Sequence, residues 1–188
     1  MAKTLIYVTL AKAIEEGYIK SLEQKVVDFI PELKGEFANE VRVIDLASMH
    51  SGMEWTEPSL NPFSVLAKTY FVKDLNKLIL DQPFVEKPGI KFQYSSGNTQ
   101  ILSILIERAT GEKITDYFSK HFWKKMNAEQ NAIWQLDSYE SGNNFNPVTY
   151  SQLSAIQLDL NFSNLHRFKF YTCQKFYAKS STQERDFV

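Results

Sequence analysis

The sequence predicts a mainly α-helical domain built around one hydrophobic core. Apolar residues recur at helical spacing in several separate segments, and glycine or proline follows most of these segments. The 188 residues include 44% apolar and 23% charged residues, a composition typical of an ordinary globular domain. These observations favour helices joined by turn-rich connections over a disordered or fibrous chain.

The first part of the chain holds two predicted helices. Residues 5–16 form the first, and Gly17 follows at the C′ position, where glycine often ends a helix. Residues 20–33 have mixed periodicity and contain a proline, which predicts an irregular or extended connection. The second helix covers residues 41–49, and Gly52 ends it.

Three further helices are predicted downstream. Ser64 is a suitable N-cap for a helix over residues 65–79, which ends before the following proline. A Pro-Gly pair at residues 88–89 predicts a turn. A strongly apolar helix runs over residues 101–109 with a glycine just beyond it, and a short helix covers residues 115–123.

The character of the sequence changes after Gly142. No glycine follows this position, asparagines cluster, and aromatic and basic residues are scattered without a clean period. We therefore expect two parts, a domain over residues 1–140 and a divergent tail over residues 141–188. Two explanations of the tail stay open, namely a reading-frame change and a poorly ordered segment.

Charge and cysteine content argue against several function classes. The formal net charge of −1 gives no field that would attract nucleic acid, so no nucleic-acid partner is expected. Cys173 is the single cysteine, which excludes an internal disulfide framework. His50, His121 and His166 lack the spacing of metal ligands, and we expect neither a metal nor a cofactor.

The N-terminal segment has two interpretations. The apolar run at residues 5–10, followed by Ala-Lys-Ala at residues 11–13, imitates a short signal peptide. A buried helix fits at least as well, because apolar residues continue to Ile14 and a helix-ending glycine follows. No later run approaches the roughly 18 apolar residues of a membrane-spanning helix, so no membrane span is expected.

The chemistry of the sequence is concentrated in the tract Phe92-Gln93-Tyr94-Ser95-Ser96-Gly97-Asn98. A phenol with an ordinary pKa of about 10 is a poor base at neutral pH unless a cation lies nearby, so such a tyrosine needs a lysine partner.

This tract resembles the serine β-lactamase and penicillin-binding protein superfamily, in particular its class-C-like branch of esterases and 6-aminohexanoate-dimer hydrolases. The resemblance extends to the stretches at residues 1–4 and 13–22, to residues 43–46 with the Ser-Gly-hydrophobic turn at 48–53, and to Pro88-Gly89. It continues through the helix that ends at Thr110-Gly111 and fades near residues 134–138. Most of the chain is covered.

The resemblance implies a role for three residues. In that superfamily a Ser-x-x-Lys motif at a helix N-terminus places the hydroxyl and the amine on one helical face. Met1-Ala2-Lys3 matches the last three positions, and Tyr94-Ser95-Ser96 matches the second motif, Tyr-x-Ser or Tyr-x-Asn. Lys3 and Tyr94 are therefore the implied catalytic pair, and Ser96 the implied substrate-binding residue.

Two parts of the family pattern are missing from these residues. The serine would lie immediately before Met1, and no Ser-x-x-Lys occurs elsewhere; Thr9 to Lys12 has the spacing but lies two turns further along, where we expect Thr9 to be a plain surface residue of the helix. No Lys-Thr-Gly-like triplet follows Gly142. The expected fold is thus the helical lobe of a β-lactamase/transpeptidase-like α+β fold, truncated at both ends, with most of the central antiparallel sheet missing.

The leading functional hypothesis is an inactive fragment of a serine hydrolase whose intact relatives cleave small-molecule esters, amides or β-lactams through an acyl-serine. The alternatives are a non-catalytic ligand- or peptide-binding module and an unrelated helical interaction protein. The cell compartment stays open, with the cytoplasm expected for the chain as given and export for intact relatives. Packing is expected for Trp55 and Trp134, and self-association through apolar faces at Leu102, Leu105 and Ile106.

Overall fold

The computed structural model describes residues 2–55, 64–69, 72 and 74–126. Within these residues the chain forms six α-helices: α1 (Ala2–Glu15), α2 (Val43–Ala47), α3 (Val65–Lys68), α4 (Leu75–Leu80), α5 (Ser96–Thr110) and α6 (Ile114–Phe118). Short 3₁₀ helices cover Val26–Asp28, Ala38–Glu40 and Lys124–Met126, and a π-helix covers Ser119–Trp123. The part of the chain described here contains isolated β-bridges and no β-sheet. The mainly helical prediction is confirmed.

Helix α5 is the centre of the core and packs against α1, α2 and α4. Its apolar residues are buried, and they meet a buried stripe on α1 formed by Ile6, Leu10 and Ala13. The three positions on α1 recur at a spacing of three and four residues, which places them on one face of the helix. Docking of this face against α5 fixes where the first turn of α1 lies.

Two expectations about exposure are wrong. Leu102, Leu105 and Ile106 are fully buried in the core, so they form no exposed apolar face. Thr9 is also buried, and its hydroxyl donates a hydrogen bond of 2.7 Å to the carbonyl of Leu5 one turn earlier. A threonine can hide its hydroxyl in this way because the backbone of its own helix offers an acceptor.

The single helix expected over residues 65–79 forms two separate helices, α3 and α4. The Asp74 side chain accepts a hydrogen bond of 2.9 Å from the amide of Lys77 and so caps the start of α4. A side chain that satisfies the first free amides of a helix competes with continuation of the preceding one. The apolar spacing carried no sign of this interruption.

The end of α5 agrees with the sequence. Gly111 adopts a left-handed φ of +72°, and its amide donates to the carbonyl of Glu107. This conformation is readily adopted by glycine because it has no Cβ. The helix expected over residues 115–123 begins as α6 and continues as the π-helix to Trp123.

A polar cluster joins α6 to the end of α1. The Tyr117 hydroxyl donates to the Glu16 carboxylate over 2.6 Å, and His121 Nδ1 lies 3.3 Å from the other Glu16 oxygen. Burial, followed by the hydrogen bond to Glu16, raises the pKa of the Tyr117 phenol well above its usual range. The hydrogen bond from Tyr117 lowers the pKa of the Glu16 carboxyl. The cluster therefore holds an ionised Glu16 and a neutral Tyr117.

Among the helices that the structure describes, none is long and apolar enough to cross a membrane.

Candidate active site

The segment before Tyr94 is fixed against an earlier part of the chain. The Gln93 amide donates to the Met49 carbonyl over 2.8 Å, and its side-chain amide donates to the Trp55 carbonyl over 2.5 Å. Four residues before Gln93, the Gly89 amide donates to the His50 carbonyl over 2.8 Å. Backbone hydrogen bonds thus hold this loop in place although it contains no helix or strand.

The segment after Tyr94 starts α5. Ser95 is the N-cap, with its hydroxyl accepting a hydrogen bond of 3.3 Å from the Asn98 amide. Gly97 in the first turn has no room for a side chain, since an added Cβ would lie 2.5 Å from Met53 Cε and 2.9 Å from the Trp55 ring. The buried Trp55 therefore packs directly on the helix backbone beside Tyr94.

The turn at residues 49–53 is tied to the same helix by buried polar groups. The Ser51 hydroxyl donates to Asn98 Oδ1 over 2.7 Å and accepts from the Met53 amide over 3.3 Å. Asn98 Nδ2 lies 3.7 Å from Met49 Sδ. Met49 has a φ of +64°, the left-handed region that costs a residue with a side chain roughly 1–2 kcal/mol.

Lys3 reaches this site from the first turn of α1. Its amine donates a hydrogen bond of 3.1 Å to the Ser96 hydroxyl and lies 4.9 Å from the centre of the Tyr94 ring. Ser96 is 1% exposed and Tyr94 is 45% exposed. A cation at this distance from an aromatic ring is attracted to it electrostatically. The arrangement brings an amine, a phenol ring and a hydroxyl together.

The structure thus brings together all three residues implied by the resemblance, namely Lys3, Tyr94 and Ser96. Their catalytic and binding roles stay predictions. Ser51 and Asn98 were not predicted as site residues, although both lie in the tracts that carry the resemblance. Their only sequence signal is a pair of small polar residues inside otherwise apolar surroundings, which does not reveal a contact across 47 positions.

The sequence offered further candidate residues. Trp55 packs in the core, as expected, whereas Trp134, His166 and Cys173 lie outside the described residues. No group of three side chains suited to a metal was found in the described part of the chain. A surface depression of about 370 Å³ is lined by a different set of residues: Glu32, Lys34, Asp74, Asn76, Lys77, Leu80 and Asp81.

A lysine on the first turn of α1 thus lies against the ring of a tyrosine that comes two residues before the buried helix α5. The Beta-lactamase family model matches residues 1–142. This match covers most of the chain, and the chain belongs to the Beta-lactamase family. The chain is therefore not an unrelated helical protein.

A sequence relative shows how much of such a protein is present. The 6-aminohexanoate-dimer hydrolase of Paenarthrobacter ureafaciens is 27% identical over 154 residues, which is 73% of this chain and 37% of the relative. The chain therefore spans well under half the length of this relative.

Solved structures support the fold. A penicillin binding protein from Bacillus halodurans gives a TM-score of 0.58 at 17% identity, covering 73% of this chain and 43% of its own. A β-lactamase/D-alanine carboxypeptidase from Yersinia pestis gives a TM-score of 0.57 at 17% identity, and the match covers 78% of this chain and 45% of that structure's chain. At these identities the similarity shows the fold alone, which is the helical lobe expected from the sequence.

Proposed function

We propose that Lys3 and Tyr94 form the acid–base unit of a β-lactamase-family serine hydrolase, and that the 188 residues alone do not turn over substrate. The observation that carries the proposal is the position of the Lys3 amine, 3.1 Å from the Ser96 hydroxyl and 4.9 Å from the Tyr94 ring centre. We further propose that the family domain ends near residue 140, which the end of the family match at residue 142 supports.

In this proposal the positive charge of Lys3 stabilises the ionised form of Tyr94, so that the tyrosine can accept a proton from a serine hydroxyl and later return it to the leaving group. Ser96 hydrogen-bonds the lysine and orients it. The names of the relatives, a dimer hydrolase, a penicillin binding protein and a β-lactamase, favour small amides and β-lactams as substrates. Esters are the third class in the proposal.

The proposed lack of turnover follows from the serines that are present. No Ser-x-x-Lys motif occurs in the 188 residues. Ser96 does contact Lys3, but it is 1% exposed, so its hydroxyl is out of reach of a substrate. Loss of the nucleophile in a serine protease lowers turnover by about 10⁶. We therefore expect no measurable hydrolysis.

A labelling experiment tests both parts. The purified chain is treated with a fluorophosphonate and with a fluorescent penicillin, and adducts are located by mass spectrometry. Two further proteins carry the same N-terminal extension, ending directly before Met1 in serine in one and in alanine in the other. The serine extension completes a Ser-x-x-Lys motif that ends at Lys3, and the alanine extension is its matched control.

We expect an adduct only on the serine of the first extended protein. Lys3→Met or Tyr94→Phe in that protein should lower the labelling rate by about 10²–10⁴, the usual contribution of general acid–base catalysis. An adduct on Ser96 of the unextended chain would contradict the lack of turnover. Equal labelling with and without Lys3 would contradict the acid–base unit.

A second candidate is a binding module without catalysis. Phe92 and Tyr94 are about half exposed on either side of Gln93, whose hydrogen bonds fix the backbone between them. Partly exposed aromatic rings on a fixed backbone can bind an apolar or aromatic ligand at low entropic cost. Calorimetric titration with aromatic amides and penicillins tests this candidate, and a flat trace with every compound would exclude it.

A further inference from the structure

The residues on both sides of Tyr94 are hydrogen-bonded, directly or through a neighbour, to the same turn of the chain. On its N-terminal side, Gln93 is bonded to the Met49 carbonyl. On its C-terminal side, the N-cap Ser95 is bonded to the Asn98 amide, and the Asn98 side chain is bonded to Ser51. Met49 and Ser51 belong to the same turn at residues 49–53. Both flanks of Tyr94 are therefore fastened to one turn.

Among these hydrogen bonds, burial strengthens the one between Ser51 and Asn98. Both side chains are almost fully buried, and the distance from hydroxyl to amide oxygen is 2.7 Å. A buried polar group that loses its partner bears its full desolvation cost, so neither side chain is free to leave the other. The Ser51 hydroxyl is also committed as an acceptor to the Met53 amide.

The turn itself is strained at the residue that meets both flanks. Met49 keeps a left-handed φ of +64° while its carbonyl accepts from Gln93 and its sulfur contacts the Asn98 side-chain amide. Strain of this kind persists only where the surroundings over-determine the backbone. The surroundings here are the end of α2, where the Met49 amide donates to the Leu46 carbonyl and the His50 amide donates to the Asp45 carbonyl, together with the two flanks of Tyr94.

We infer that Ser51 and Asn98 are positioning residues for Tyr94: their buried hydrogen bond fixes the turn at residues 49–53, and the turn holds the tyrosine ring beside the Lys3 amine. This inference rests on the proposed function of the Lys3–Tyr94 pair. It assigns no contact with substrate to Ser51 or Asn98, which act only through the tyrosine.

Spectroscopy of Lys3 tests the inference without any catalysis. Reductive methylation of the 188-residue chain with carbon-13 formaldehyde gives each lysine a dimethylamine signal, and Lys3→Arg assigns the signal of Lys3. The Tyr94 ring lies close enough to displace this signal from the common lysine position, and Tyr94→Leu defines its undisplaced value. Urea unfolding of each variant records global stability separately.

We expect Asn98→Ala and Ser51→Ala each to move the Lys3 signal most of the way to its value in Tyr94→Leu, and the double variant to add little to either. Thr99→Val is the matched control on the same helix, because Thr99 is equally buried and its hydroxyl has no hydrogen-bond partner among the described residues. It should leave the signal unchanged. If Asn98→Ala does not fold, the Lys3 signal in Ser51→Ala tests the inference.

An undisturbed Lys3 signal in folded Asn98→Ala or Ser51→Ala would overturn the inference, since these residues would then only stabilise the fold. A parent signal that does not respond to Tyr94→Leu would instead contradict the Lys3–Tyr94 contact. Failure of the acid–base unit in the labelling experiment, with the expected shifts intact, would refute the proposed function and leave the positioning role standing.

Discussion

Glu107 couples the stability of this fold to pH. It is half-buried on the last turn of α5, and its carboxylate accepts a hydrogen bond of 2.9 Å from the Ile114 amide at the start of α6. Burial raises its pKa from 4.5 to about 7, against smaller opposing effects of the Ile114 hydrogen bond and the charge of Lys113. The folded protein therefore retains a proton that the unfolded chain releases.

The sign of the effect follows from this difference. Between pH 4.5 and about 7 the folded state binds more protons at Glu107 than the unfolded state, so the free energy of unfolding decreases as pH rises and then levels off. A shift from 4.5 to 7 is 2.5 pKa units, and each unit corresponds to about 1.36 kcal/mol. Allowing for screening of a partly exposed group, we expect a loss of about 1–3 kcal/mol.

Urea unfolding at a series of pH values from 4 to 9 measures this loss, and Glu107→Gln is the matched variant. Glutamine keeps an oxygen that accepts from the Ile114 amide, and it cannot ionise. Subtracting the two free energies of unfolding at each pH therefore cancels the contribution of the other titrating groups. The free energy of unfolding of the variant should equal that of the parent near pH 4 and exceed it by about 1–3 kcal/mol near pH 8. Parallel stability curves for the two proteins would refute the reasoning.

Three further substitutions test the packing and capping described above by urea unfolding. Gly97→Ala forces a Cβ against Trp55 and should cost about 1–3 kcal/mol through overpacking. Tyr117→Phe removes the buried hydroxyl that donates to Glu16 and should cost about 1.5–3 kcal/mol, the range for hydrogen bonds to charged groups. Asp74→Ala removes the N-cap of α4 and should cost about 1 kcal/mol.

Each of these substitutions has a comparison within the chain. Gly111→Ala has open space around its Cβ, so only the backbone strain of roughly 1–2 kcal/mol applies. A Gly97→Ala cost below about 1 kcal/mol would contradict the overpacking argument. Tyr18→Phe alters an exposed tyrosine and should be nearly neutral. Asp74→Asn retains a capping oxygen, so it should preserve most of the stability that Asp74→Ala loses.

The apolar pattern predicted the central helices but not their beginnings. The buried part of α5 was expected from residue 101, whereas the helix starts at Ser96, and its first five residues are buried although four of them are polar. Periodicity identifies helical faces through apolar residues, so a buried polar turn leaves no signal. The division of the segment after Ser64 is a second case, because one capping carboxylate at Asp74 outweighed a continuous apolar spacing.

The three candidate site residues were predictable because the family motifs carry them, and not because of any pattern in hydropathy. Lys3 and Tyr94 reach each other only through the docking of α1 on α5, a tertiary event that spacing along the chain does not encode. The Ser51–Asn98 contact has no local signature for the same reason. Pairings of this range become visible only when the fold is known.

The hydrogen bond between Lys3 and Ser96 joins residues 93 positions apart, which has a consequence for how the protein is made. At a synthesis rate of about 5–20 residues per second, α1 leaves the ribosome roughly 5–20 s before its partner helix follows. During that interval the stripe of Ile6, Leu10 and Ala13 has no α5 to cover it. The nascent chain therefore passes through a stage open to chaperones and to misassociation, and closure of the Lys3–Ser96 contact marks its end.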